Sequence, residues 1–178
     1  MRMLVSIWIL MTMVTPLVWA QDKNPVVEAH AVMATSAAHA NSPLKIAVLA
    51  QVAAGYHIND HKPTLDYLIP TELKIDPNDH FAVKSEVYPK GTPAKFAFSD
   101  VPLSVYEGPV VVGALLETGK SLPPGTYPLK AMLTYQACND HACLPPASVP
   151  LTLGIKIVPS NIPLKAVDAD VFRRIKFE

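Results

Sequence analysis

Three stretches of this 178-residue chain alternate apolar and polar residues with a period of two, and that pattern constrains the fold more than any other feature. In Phe81–Val87, Phe81, Val83 and Val87 share one face, opposite Lys84 and Glu86. In Thr126–Gln136, Tyr127, Leu129, Ala131, Leu133 and Tyr135 oppose Lys130, Thr134 and Gln136. In Ser148–Val158, Val149, Leu151, Leu153, Ile155 and Ile157 form the apolar set. Successive side chains of a strand point to opposite faces, so each stretch reads as a half-buried β-strand. Val26–Met33, Leu44–Ala54, Tyr67–Ile75, Lys95–Phe98 and Val110–Thr118 are weaker strand candidates. Asp76-Pro77-Asn78-Asp79, Pro89-Lys90-Gly91 and Pro123-Pro124-Gly125 separate them as turns. No segment keeps a 3.6-residue period, so little helix is expected. Seven or eight short strands with frequent turns predict an all-β, single-domain, antiparallel β-sandwich of immunoglobulin-like type, without the Cys…Trp…Cys arrangement of antibody domains.

The same pattern accounts for an unusual composition. Eighteen prolines and only 17% charged residues, against a typical ~25%, suit strands punctuated by proline at edges and turns rather than disorder. Fifteen basic and fifteen acidic residues balance, which gives no electrostatic reason to expect nucleic acid or a charged membrane surface as partner. At the N-terminus, Arg2 is the sole charge before an apolar run from Met3 to Val14, followed by Pro16 and Val18-Trp19-Ala20. Residues 1–20 read as a secretory signal peptide cleaved after Ala20, which leaves a chain without stable membrane insertion. The folded domain is expected over residues 21–160. Residues 161–178 follow as a C-terminal tail docked on the surface, and Thr35–Asn41 as a loop between the first two strands.

Two cysteines, Cys138 and Cys143, are the only ones in this exported chain, and within one molecule they have only each other. Cys138 ends one strong strand and Cys143 leads toward the next. A four-residue connection sets them opposite each other in a hairpin, where Cα atoms lie ~4.5–5.5 Å apart, within reach of a disulfide. Such a bridge closes a loop of about six residues and stabilises by roughly 2 kcal/mol, against nearly 5 for a hundred-residue loop. A sandwich of this length has little need of so small a staple. His141, between the cysteines, favours a thiolate when protonated; Asp140 opposes that effect or orients His141. Pro145-Pro146 lacks backbone N–H groups and interrupts pairing just beyond Cys143. From these residues alone, thiol–disulfide exchange and a structural staple both stand.

The stretch Tyr135–Pro146, YQACNDHACLPP, resembles the active-site hairpin of the N-terminal periplasmic domain of the DsbD thiol:disulfide interchange family, with its Tyr-Gln-x-Cys start and Cys-x-Pro-Pro end. Gly55-Tyr56-His57-Ile58-Asn59 is similar to a Gly-aromatic-His segment of that family. Leu68-Ile69-Pro70-Thr71 and Val87-Tyr88-Pro89-Lys90-Gly91 look like further signatures. The likeness runs from about Val26 to Val158. It implies an immunoglobulin-like fold and a periplasmic electron relay, a thiol–disulfide oxidoreductase activity in which Cys138 and Cys143 are the redox pair. Tyr135, Asp140 and His141 are the neighbouring modulators, and Cys143 is the cysteine that forms mixed disulfides. It also implies a thioredoxin-like or DsbD-type electron donor, periplasmic disulfide-containing acceptors, and a cap loop carrying an aromatic side chain, for which Phe96, Phe98 and Tyr106 are the candidates. The best-known members place five residues between the cysteines; this chain places four.

Two other classes compete. One is a non-catalytic sandwich that binds a partner through its loops, with the disulfide only stiffening a hairpin. The other is a soft metal site of Cys138, His141 and Cys143, with His57 or His61 nearby, a spacing tight for three ligands on one ion. No cofactor is expected beyond the disulfide itself, and no metal residues are assigned. No Gly-x-Ser-x-Gly elbow, phosphate-cradling glycine loop or His-Glu-x-x-His helix is present.

Overall fold

The computed structural model describes residues 25–177, so the expected signal peptide and its cleavage site lie outside the described residues. Eleven strands follow in chain order: β1 (Val27–Met33), β2 (Pro43–Val52), β3 (His57–Asn59), β4 (Glu72–Ile75), β5 (Phe81–Val87), β6 (Thr92–Ala94), β7 (Leu103–Tyr106), β8 (Pro109–Thr118), β9 (Gly125–Tyr135), β10 (Ala137–Cys138) and β11 (Ala147–Ile157). Among the described residues one short helix, α1 (Ala169–Phe172), lies in the tail. Among the described residues no helix is long and apolar enough to cross a membrane.

All named strand pairs are antiparallel, in three sheets ordered β1-β2-β8-β5, β11-β9-β4 and β10-β3-β7-β6. The first two close on each other as an immunoglobulin-like sandwich. The inner rows of β2 and β8, from Leu44 to Val52 and from Val110 to Leu116, meet Leu129, Leu133, Tyr135, Leu151, Ile155 and Ile157 of the facing sheet. Strands β9 and β11 pair along their whole length, from Gly125↔Ile157 to Tyr135↔Ala147, so the period-two pattern of both stretches is realised. Proline sits where a missing N–H is tolerated: Pro93 on edge strand β6, Pro150 on edge strand β11, and Pro43 and Pro109 at strand starts.

Strand β5 departs from its alternation. A β-bulge between Val83 and Ser85 leaves Lys84 unpaired in the ladder. Phe81 and Val83 lie opposite Thr118 and Leu116, but Val87 lies opposite Gly113 and so takes the other face. Val83, on this edge strand, is 44% exposed. The expected shared face of Phe81, Val83 and Val87 therefore does not form. The strand expected over Lys95–Phe98 is instead a loop and turn after β6. Of Tyr67–Ile75, only β4 is extended in a ladder, and β3, β6 and β7 lie outside the expected strands.

The C-terminal tail packs against the sandwich. Ser36 and Val167 donate backbone hydrogen bonds to Lys165 and Ala34, and residues Ile175 and Phe177 lie over the outer face of the first sheet. Their seat is a saddle of small residues. Ala47 is fully buried opposite Gly113, and a Cβ at Gly113 would come within 2.7 Å of Ile175 and 3.0 Å of the Phe177 ring.

The third sheet positions the site. Strand β9 stops at Tyr135, and after Gln136 the chain crosses to β10, which leaves β9's sheet and pairs with β3. A loop of residues 95–102 joins β6 to β7. It packs over a small second cluster of Leu68, Leu103 and Val105 with Leu65, Ala94 and Phe96.

Candidate active site at the cysteine hairpin

Asn139 builds the turn that brings the cysteines together. Its side-chain Oδ1 accepts the backbone N–H groups of His141 and Ala142, both at 2.9 Å, while its own N–H donates to Ala142 O at 3.0 Å. Leu144 N–H donates to Ala137 O at 2.8 Å. Cys138 and Cys143 are thus the non-hydrogen-bonded pair between two bonded ones, the position at which antiparallel side chains approach most closely. They form a disulfide, with Cα atoms 3.9 Å apart. Asn139 went unremarked in the sequence, although an Asx turn is what an asparagine there offers.

Gln136 ties this hairpin to the sandwich. Its Nε2 donates to Leu144 O at 3.3 Å, and its Oε1 accepts from Asn59 Nδ2 at 3.4 Å. Asn59 is fully buried on β3, and Thr71 donates to its carbonyl at 2.6 Å. The Gln of the Tyr-Gln-x-Cys segment therefore anchors the base of the hairpin. Tyr135, before it, is a core residue, 5% exposed, whose phenol is pushed up in pKa by burial and partly relieved by the backbone of Val27.

The two sulfur-bearing residues are unequal. Cys138 is 1% exposed and Cys143 is exposed. Asp140 and His141, at the tip, are exposed as well. On its other side Cys138 pairs with His57 of β3, so Cys143, Cys138 and His57 form one row across three adjacent chain segments on the same face. His57 is 3% exposed, and its Nε2 is buried without a hydrogen-bond partner among the described residues. The Phe96 ring stacks on it at 4.0 Å, and Phe98 stacks on Phe96 at 5.3 Å. Burial lowers the pKa of His57, and the negative charges of Glu107 and Asp140 partly oppose that.

Of the three cap candidates, Phe96 and Phe98 lie in the loop between β6 and β7, whereas Tyr106 lies on β7 in the framework. The Tyr106 hydroxyl donates to Asp60 at 2.5 Å and lies 2.9 Å from Pro89 O, while the His61 N–H donates to it at 3.2 Å. Burial, then the bond to Asp60, push its pKa far above the ordinary phenol value. In the sequence His57 stands out only within the family-like segment Gly55–Asn59 and as a neighbour of the candidate soft metal site. Its adjacency to Cys138 needed the strand switch at Gln136, which no local pattern announces. His61 is turned to other contacts, stacked on Tyr88 at 3.6 Å, and among the described residues no group of three His, Cys, Asp or Glu side chains is arranged to hold a metal ion.

Beside the hairpin opens a cleft of about 360 Å³ lined by Tyr56, His57, Glu107 and Asp140 among others. Its rim turns at Gly55 and Gly108, whose φ values of 80° and 61° fall in the left-handed region that glycine adopts without cost from a Cβ.

Residues 23–153 match the family described as thiol:disulfide interchange protein DsbD, N-terminal. The chain belongs to the DsbD N-terminal family. No curated relative matches its sequence. Among solved structures it is similar to the N-terminal periplasmic domain of ScsB from Proteus mirabilis, at 16% identity and a TM-score of 0.54, covering 79% of this chain and 51% of that one. The chain thus spans about half the length of that domain. It is also similar to the reduced DsbD N-terminal domain of Neisseria meningitidis (22% identity, TM-score 0.41, 70% of this chain and 86% of that one). A third likeness is to the same organism's complex of the DsbD and PilB N-terminal domains (22%, 0.39, 68% and 80%). The DsbD N-terminal fold is an immunoglobulin-like sandwich, and within it this chain carries a disulfide-bonded cysteine pair at the expected hairpin.

Proposed function

We propose that this DsbD N-terminal domain is a periplasmic electron relay that works by thiol–disulfide exchange through Cys138 and Cys143. The observation that carries the reading is the inequality of the pair: one bridge at the tip of a short hairpin joins an exposed cysteine to a buried one. Exchange requires a sulfur that a partner can reach and a second that can close the bond again, and a staple requires neither. In the dithiol form the Cys143 thiolate attacks an acceptor disulfide and forms a mixed disulfide. Cys138 resolves it, leaving the domain oxidised and the acceptor reduced. A thioredoxin-like or DsbD-type donor then reduces the pair again. The Phe96 and Phe98 rings of the loop between β6 and β7 cover His57 beside Cys138 and leave Cys143 open, with Asp140 and His141 at the tip where a partner docks.

The leader-like residues 1–20 support export, and a periplasm permits a cysteine pair to cycle. The test is the reduction potential of the pair, read by equilibration in thiol buffers and alkylation of free thiols. A value between about −120 and −270 mV, with rapid reduction by a thioredoxin-like donor, is expected. A value below about −300 mV with sluggish exchange would leave a binding module with a stapled hairpin.

A further inference from the structure

The relay leaves one step without a partner. When Cys138 resolves the mixed disulfide it must first lose a proton, yet it is 1% exposed and water has little access to its thiol. A buried thiol in apolar surroundings resists ionisation. The titratable side chain paired with it across the ladder is His57, on the same face, and Cβ atoms of such pairs lie ~4.5–5.5 Å apart. We infer that His57 is the proton acceptor of Cys138 in the resolving step, an inference that rests on the relay reading.

Three observations besides adjacency support this. The Nε2 of His57 is buried and unpartnered among the described residues, and a buried polar atom without a partner is a rarity that calls for an explanation. The ring is held by its stack on Phe96, so its orientation is set before reaction. His57 also lines the cleft beside the hairpin, with the carboxylates of Glu107 and Asp140, so a proton taken from the buried side has a route to solvent. Glu107, just beyond β7, and Asp140, in the hairpin, are the charged groups acting on His57, and both favour its protonated form. From the loop between β6 and β7 the uncharged Phe96 ring stacks on it. Burial keeps the imidazole neutral and able to accept at neutral pH.

The step balances as follows. The Cys143 thiolate attacks one sulfur of the acceptor disulfide, that S–S bond breaks, and one acceptor thiolate leaves. His57 takes the proton of the Cys138 thiol. The Cys138 sulfur attacks Cys143 Sγ, the mixed disulfide breaks, and the second acceptor thiolate leaves. The proton on His57 passes to that thiolate or to water in the cleft. The cysteine pair has lost two electrons and the acceptor has gained them. Re-reduction runs in reverse, with protonated His57 returning the proton to the departing Cys138 thiolate.

The aromatic disulfide dithiobis(nitrobenzoate) separates the two steps, since each releases one coloured thionitrobenzoate. Mixed with the reduced protein in stopped flow, it is expected to give a first release from attack by Cys143 and a second from resolution by Cys138. In His57→Phe, which keeps a ring against Phe96, the first phase should stay within about twofold while the second slows about 100-fold, the lower end of what a positioned base contributes. The wild-type second phase should level off as pH rises past the titration of His57, while that of the variant keeps rising with hydroxide. His57→Gln, polar but without a base, should behave like His57→Phe and serves if the phenylalanine variant does not fold. Two equivalents released at the same rate and with the same pH profile in wild type and variant would overturn the role of His57 and leave the relay intact. A wild type that releases no second equivalent would overturn the relay and His57 together.

Discussion

Two histidines four residues apart both lie against aromatic rings, and they differ in what their ring nitrogens find. His61 stacks on Tyr88, its Nδ1 is 3.1 Å from Thr71 O, and Tyr88 itself accepts the Leu73 N–H and donates to Glu86. Next to it, Asp60 accepts from Tyr106 and Ser104 at 2.5 and 2.7 Å. Among the described residues no buried side-chain polar atom of that cluster lacks a partner, as a buried polar network requires to stabilise a fold. His57 is also stacked, on Phe96, but its Nε2 has no partner among the described residues and it pairs with a redox-capable cysteine. The satisfied cluster is scaffold, binding β3 to β7. The unsatisfied histidine lies where a proton has to move. Hydrogen-bond completeness separates two residues that look alike in sequence.

The comparison breaks most visibly if the cysteines are made unequal by substitution. Cys138→Ser should abolish turnover while Cys143 accumulates as a mixed disulfide with the acceptor, seen as a mass adduct. Cys143→Ser should form no adduct. Adducts of equal yield from the two variants would contradict the assignment of Cys143 as the attacking sulfur.

On the scaffold side, Tyr106→Phe removes the donor of the short bond to Asp60 and should cost about 1–3 kcal/mol in urea unfolding. Both phases of exchange should stay within about twofold of wild type, because the variant touches structure and not chemistry. A selective loss of the second phase would erase the distinction between the two clusters.

Phe96→Ala removes the stack on His57. A stability loss of about 0.5–1.5 kcal/mol is expected from the aromatic pair beyond its buried area. Alkylation of reduced Cys143 should become several-fold faster if the loop shields the pair. Unchanged alkylation would remove the cap from this loop.

The smallest effect is in pH. His57 has its pKa lowered by burial, so the unfolded chain binds its proton first as pH falls below about 6.5, and stability declines in that window. Asp60 behaves differently. Burial works to raise its pKa, but hydrogen bonds from Tyr106, Ser104 and the N–H groups of Lys62 and His61 outweigh it and hold the carboxyl low. Its contribution is present above the ordinary carboxylate range and is lost as pH falls through the lowered folded value. Comparing wild type with His57→Phe at about pH 7.5 and about pH 5.5 isolates the histidine, since Asp60 is ionised at both. The wild type should lose more stability than the variant on acidification, by at most about 1.4 kcal/mol per pH unit. Identical losses would mean that His57 titrates alike in the folded and unfolded chains.

What could be read from sequence is what depends on neighbours along the chain. Strands β9 and β11 are legible because apolar residues recur at every second position, from Tyr127 to Tyr135 and from Val149 to Ile157, a period that only a pleated strand places on one side. The cysteine pair was legible because four intervening residues close a hairpin and no other cysteine competes. The family resemblance added the redox reading to a pair whose residues alone permitted a staple.

The tertiary structure alone decided the rest. The bulge at Lys84 turns Val87 to the opposite face, and a period-two count cannot foresee one extra residue. Ala47 and Gly113 look like indifferent small residues until Ile175 and Phe177 of the distant C-terminal tail settle over them, a contact between segments far apart in the chain. The crossing of β10 from the end of β9 onto β3 sets His57 beside Cys138 and buries one cysteine while exposing the other. Alternation and turn chemistry are local energies written in short windows of residues. Burial, pairing between distant strands and the missing partner of a histidine are properties of the packed whole, and no short window contains them.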